Sequence, residues 1–133
     1  MDYEAYITRV NETNPFMRHN RMQAVSVSPE KAVVQAHITP ELKNAMGGVH
    51  AGLMFAMGEI AAGLLARGDG SKQVTLDTSF RFLRNSMNAE ILEAEAVFIK
   101  RGKTITMCRS VIRESGKEKA LAEGEFSFYC LNE

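Results

Sequence analysis

Between Leu53 and Ala66 the chain reads LMFAMGEIAAGLLA, an apolar run broken by a single charge, Glu59. The run is too long for a buried strand and too short to span a bilayer, so it predicts a core helix. Apolar residues fall on every side of the helical wheel, which predicts burial nearly all round. Gly52, Gly58, Gly63 and several alanines keep the helix surface thin, so that a sheet can wrap closely against it. A carboxylate in such a helix is costly, because an unpaired buried charge loses its hydration without compensation. Glu59 is therefore the leading candidate for a catalytic group.

The 133 residues suffice for one domain with a real core, and the expectation is a single domain over 1–133. Sixteen basic residues balance sixteen acidic ones, which argues against a general nucleic-acid or membrane-surface binder. The opening MDYEAYITRV lacks the basic start and apolar stretch of a signal peptide. Cys108 and Cys130 lack CxxC spacing and read as reduced strand residues, which favours the cytoplasm. His19, His37 and His50 are scattered, and no phosphate loop or dinucleotide fingerprint occurs, so neither a metal nor a bound cofactor is expected.

Along the chain, Asp2 can cap a helix in which Tyr3, Tyr6, Ile7 and Val10 share a face, ended by Asn14-Pro15. Met22 to Ser28 and Lys31 to Thr39 read as a hairpin turned at Pro29-Glu30. Pro40 to Gly48 is a loop before the central helix. Arg67 to Lys72 is a breaker, with Gly68 a candidate helix cap. Val74 to Phe82, Glu90 to Lys100, Lys103 to Glu114 and Lys119 to Leu131 read as an antiparallel meander. Its tight turns are Arg101-Gly102 and Ser115-Gly116. The fold class is α+β, with one helix packed across a sheet.

One sheet around one helix leaves an edge and a face uncovered, which predicts pairing with a second copy. The helix itself makes the same demand. Its N-terminus at Ala51 and Gly52 offers free N–H groups suited to an oxyanion or carbonyl oxygen. Glu59 lies eight residues after Ala51, about 12 Å along the axis, and its side chain covers only part of that distance. If both groups act on one carbon, they come from two protomers.

Asn44, His50-Ala51-Gly52 and Glu59 together resemble the active-site signature of hotdog-fold acyl-CoA thioesterases, in particular the PaaI-like branch. There an Asn or Gln precedes His-Gly-Gly, and an Asp or Glu follows nine residues after the His. The resemblance runs from Asn14-Pro15-Phe16 through the closing strands. It implies a long helix enclosed by an antiparallel sheet, assembled as a homodimer or a dimer of dimers. Glu59 would attack an acyl-CoA thioester or activate water to do so. The Ala51 N–H would polarise the carbonyl, with Gly52 beside it. His50 would hold the loop, Asn44 would orient the carboxylate or the water, and Thr75 would orient the water.

The resemblance also implies surface cations for the nucleotide phosphates of coenzyme A. Arg81, Arg84, Lys100, Arg101 and Lys103 are candidates, and Phe16 and Phe55 would line the acyl pocket. Two positions depart from the pattern. Ala51 replaces the first glycine, and Gly63 stands where some relatives carry Ser or Thr. The implied activity is thioester hydrolysis without a cofactor. A non-catalytic acyl-CoA-binding protein is the alternative, and a hydratase-dehydratase a weaker one.

Overall fold

The computed structural model describes residues 1–131. Its elements are α1 (Tyr3–Thr13), α2 (Pro15–His19), β1 (Met22–Val27), β2 (Lys31–His37) and a single 3-10 turn (Pro40–Leu42). They continue with α3 (Ala51–Ala66), β3 (Gln73–Phe82), β4 (Ile91–Lys100), β5 (Ile105–Glu114) and β6 (Ala120–Cys130). The six strands form one antiparallel sheet in the order β1-β2-β4-β5-β6-β3, curled around α3.

Asp2 caps α1 by accepting the Ala5 N–H at 3.1 Å. Asn14 closes α1 and opens α2, its side chain accepting the Met17 N–H at 3.0 Å with Pro15 in the first helical position. The residue before a proline is driven out of the helical region, so Asn14 is where the two helices part. The sequence reading anticipated the break and not α2, which at five residues is too short to show a period. Met17 is fully buried, whereas Phe16 remains 52% exposed.

Three other expectations change. The sequence pattern predicts β3 as the first strand of a meander, but it lies beside β6, with Phe80 opposite Gly124. A Cβ at Gly124 would collide with the Phe80 backbone and ring, so the glycine is what lets β3 close on β6. β5 begins at Ile105 rather than Lys103, making the β4–β5 connection a four-residue loop and not a tight turn. The breaker after α3 uses Arg67 as the cap residue, and Gly70, at φ 88°, provides the left-handed turn instead of Gly68.

In the wider β4–β5 loop the partly exposed Arg101 folds back onto the end of α3. Both of its terminal nitrogens donate to the Ala66 carbonyl at 3.1 Å, its guanidinium pairs with Asp69 at 3.3 Å, and it stacks over Phe98 at 4.7 Å. A cation thus sits on the negative end of α3. Along its length α3 presses Met57, Ala61, Ala62 and Ala66 into the sheet with no exposed surface. The buried Ser110 hydroxyl donates to the Gly58 carbonyl at 2.7 Å. Burial is not all round, however. Ala51 and Gly52 are exposed, and Phe55, Ala56, Glu59 and Ile60 are half-buried, a stripe at helical spacing that no strand covers.

The two sheet edges differ. At β1 the Asn11 side chain donates to the Ala24 carbonyl at 3.0 Å and accepts the Ala24 N–H at 2.8 Å, completing that residue as a partner strand would. At β3 the outer edge has no partner among the described residues, and Val74, Leu76 and Phe82 are exposed on it.

Replacing the α3 cation, Arg101→Met, is expected to lower the unfolding free energy by about 2 kcal/mol, the scale of hydrogen bonds to charged groups. Arg101→Lys should recover only part, since one ammonium cannot reproduce the paired geometry. Chemical denaturation measures both. An unchanged midpoint in Arg101→Met would show that the capping contributes nothing.

Candidate active site

The loop that delivers the chain into α3 is fastened by Asn44. Its side-chain oxygen accepts the N–H groups of Met46 at 2.9 Å and Gly48 at 3.1 Å, and its own N–H donates to the Gly48 carbonyl at 2.7 Å. Gly47, at φ 87°, takes the left-handed conformation this tight loop needs. Val49 is then anchored to the Ser86 carbonyl at 2.9 Å and His50 to the Leu42 carbonyl at 3.0 Å. Asn44 therefore organises the loop at the N-terminus of α3.

His50 is the N-cap of α3, its Nδ1 accepting the Gly52 N–H at 2.8 Å. A ring nitrogen that accepts carries no proton, so this contact places the imidazole proton on Nε2. A Cβ at Gly52 would come within 2.9 Å of Nδ1, so glycine is the residue that leaves room for the cap. Gly52 thus spends its N–H within the chain. The Ala51 N–H is different: it opens the first turn, is exposed, and has no acceptor among the described residues. Ala51 does not have a positive φ, which Arg21, at φ 60°, alone shows among the described non-glycine residues. The alanine is accordingly unstrained where the thioesterase pattern has glycine.

Glu59 stands midway along the open stripe of α3. The Thr75 hydroxyl donates to its Oε2 at 2.6 Å. Thr75 borders a register shift in β3, between Thr75 and Asp77, and such irregularities re-aim side chains. The carboxylate opens on a cleft of about 380 Å3 lined by Asn14, Phe16, Phe55, Ala56, Glu59 and Ile60. Phe55 is fixed edge-on to Phe80 at 5.4 Å. Chemically this is one acid, held by a hydroxyl, in a hollow whose other lining is apolar except for Asn14. The costly full burial expected of Glu59 does not occur in the single chain, because no strand covers its face.

The structure brings Glu59 and Thr75 together at one station, with Phe16 and Phe55 in the wall. It brings Asn44, His50, Ala51 and Gly52 together at another, about 12 Å of helix away. Within one chain the two stations do not meet. The cations divide. Arg81 is held by Glu125 at 3.3 Å and Glu123 at 3.6 Å, and the Glu125 hydrogen bond pushes its pKa further up. Arg84 donates to the Ala120 carbonyl at 3.1 Å, and Arg101 to the Ala66 carbonyl at the end of α3 at 3.1 Å. These three arginines, read as phosphate ligands, are engaged by their own chain. Lys100, the last residue of β4, and Lys103, in the connection to β5, are exposed and have no ion-pair partner among the described residues.

Sequence reasoning missed Asn14 in the cleft wall and Arg67, whose guanidinium lies over Gly63. The signal for Arg67 was the i, i+4 spacing from a glycine on the Glu59 face. The free cysteines are Cys108, whose burial raises its thiol pKa to about 12, and Cys130. Among the described residues no three of His, Cys, Asp and Glu gather as a metal-ligand group, and no helix is long and apolar enough to cross a membrane.

The architecture is that of the hotdog fold. The PaaI protein from the phenylacetic acid degradation operon of E. coli superposes with a TM-score of 0.87 at 19% identity, over 94% of this chain and 90% of that one. A thioesterase of Haemophilus influenzae superposes with a TM-score of 0.87 at 18% identity, over 99% of this chain and 92% of that one. In sequence, a protein of Archaeoglobus fulgidus provisionally named an esterase is 29% identical over 103 residues, 77% of this chain. The match spans 66% of that relative's length. Residues 4–96 match the family described as a domain of unknown function (DUF4442), and the chain belongs to that family.

Proposed function

We propose that the protein is an acyl-CoA thioesterase, hydrolysing a thioester to a carboxylic acid and free coenzyme A. The observation that carries this reading is the Glu59 carboxylate, held by Thr75 at 2.6 Å and facing an apolar cleft on the uncovered stripe of α3. The names of similar proteins, an esterase by provisional name and a thioesterase by title, point the same way.

The reaction needs an electrophilic station and an acid, and these are the two stations on α3. A second copy joined along the free β3 edge would bring Glu59 of one subunit to Ala51 of the partner subunit, and would cover the exposed Val74 and Leu76. The Ala51 N–H, at the positive end of α3, would polarise the thioester carbonyl. Glu59 would take a proton from water as the water oxygen bonds to the carbonyl carbon. Collapse of the tetrahedral intermediate breaks the C–S bond, and the leaving thiolate recovers the proton from Glu59. Direct attack by the carboxylate, with a transient anhydride, starts from the same ionised group. Neither route calls on a cofactor. Lys100 and Lys103, without an ion-pair partner among the described residues, would meet the nucleotide phosphates. The two free thiols suit a reducing compartment, and we place the protein in the cytoplasm.

Glu59→Gln is expected to lower kcat/KM on an acyl-CoA panel by about a hundredfold or more, the usual scale for losing a general base. Unchanged turnover would remove Glu59 from the chemistry, and tight binding without turnover by the wild type would favour the ligand-binding alternative.

The two-subunit site makes a sharper demand. Ala51→Pro deletes one N–H at a position where proline suits the helix, after a His50 already extended at ψ 134°. Each variant alone should be inactive. Mixed and allowed to exchange subunits, they should regain about a quarter of wild-type activity, since half the dimers carry one intact site of two. No recovery despite demonstrated exchange would place both groups within one subunit.

A further inference from the structure

The uncovered stripe of α3 is walled on its far side by α1 and α2, and three hollows follow it in order. Phe16 is common to the hollow at His50 and Gly52 and to the Glu59 cleft. Asn14 is common to that cleft and to a third hollow of about 490 Å3, whose lining includes Tyr6, Arg9, Thr13, Arg67 and Ser71. Shared residues thus link the three hollows into a line beside the helix, a segmented groove. The first two contain neither Lys nor Arg, and the third holds two guanidiniums.

Arg67 reaches this groove because position 63 is glycine. Its side chain folds back along α3 so that a Cβ at Gly63 would collide with Nη2 and lie 3.1 Å from Cζ. One of its nitrogens donates to the Gln73 carbonyl at 3.0 Å. The guanidinium also stands near the Tyr6 phenol, whose pKa burial pushes up and Arg67 opposes. Tyr6 is pinned by donating to the Leu64 carbonyl at 3.0 Å, and Arg9 lies 5.5 Å from its ring centre. Among the described residues neither Arg9 nor Arg67 forms an ion pair with a carboxylate. Two guanidiniums without an ion-pair partner among the described residues, in the hollow that adjoins the Glu59 cleft at Asn14, have the chemistry to hold an anion at the end of an apolar chain.

We infer that the groove accepts acyl groups bearing a second, terminal carboxylate, which Arg67 and Arg9 hold while Glu59 stands at the thioester. This rests on the thioesterase reading and adds its substrate class. Gly63 is four residues beyond Glu59, about 6 Å along the helix, an interval that an acyl chain of about six carbons spans. A phosphate of coenzyme A presents similar oxyanion chemistry to the same guanidiniums, so the test separates the two sources.

The test compares adipyl-CoA with hexanoyl-CoA, which match in length and differ in the terminal carboxylate. Wild-type kcat/KM should favour adipyl-CoA by roughly tenfold or more, the scale of a charge-assisted hydrogen bond. In Arg67→Met that ratio should fall towards one, with partial recovery in Arg67→Lys. Arg9→Met, at an exposed position, should lower the ratio as well and covers the case in which loss of the Arg67 bond to Gln73 prevents folding. A wild type that prefers hexanoyl-CoA, or variants that slow both substrates equally, would overturn the inference; the second result would assign the guanidiniums to coenzyme A. If no thioester is turned over, free adipate and hexanoate titrated against the arginine side-chain NMR signals decide. Shifts specific to adipate and lost in Arg67→Met would support the carboxylate site while the hydrolase reading alone fails. Equal or absent shifts would sink the carboxylate site too.

Discussion

A helix with no polar face can be stable in water only if something encloses it, and in this chain the sheet does so. The demand sets the order of strands, since β3 must pass β6 to complete the wrap. It also fixes Gly58 and Gly124, where a Cβ would crowd Phe80. The ends of α3 are tied from outside the helix, by the His50 imidazole at the start and the Arg101 guanidinium at the finish. Six strands cannot close completely around one helix, and the gap they leave is the stripe that carries Glu59. The proposed functional surface is in this sense the unfinished part of the core.

That division explains what could be read from the residues alone. The extent of α3 and the four long strands were legible because apolar runs and alternation report which side of an element faces the core. Glu59 was legible because one charge stands out in an oily run. Strand order was not, since periodicity says nothing about which neighbour a strand meets; β3 beside β6 depends on the close fit at Gly124. The cations were the hardest. Arg101 sits in what reads as an ordinary turn, and only the position of Ala66 shows that its head turns back to the end of α3. Long side chains end several bonds from their backbone, so their partners are tertiary facts.

The site is divided in the same manner. α3 acts as a ruler with a donor at its first turn and an acid two turns on, too far apart to share one reacting carbon within a single chain. His50 sharpens the division by consuming the Gly52 N–H and leaving that of Ala51 open. Gly63 serves the opposite end, where its bare backbone gives Arg67 a seat on the same face as the acid. Two positions that depart from the thioesterase pattern thus have separate physical consequences. An alanine preserves the donor, and a glycine admits a cation.

The Asn11 side chain on Ala24 carries a further meaning. A sheet with two sticky rims could recruit copies without limit, each newcomer offering a fresh rim to the next. Here one rim is blocked at Ala24 by an amide from the chain's own first helix, which favours the other rim for any association through strands. Association through that other rim alone would terminate after a single step, as a couple related by a twofold axis, and would leave no template for a filament.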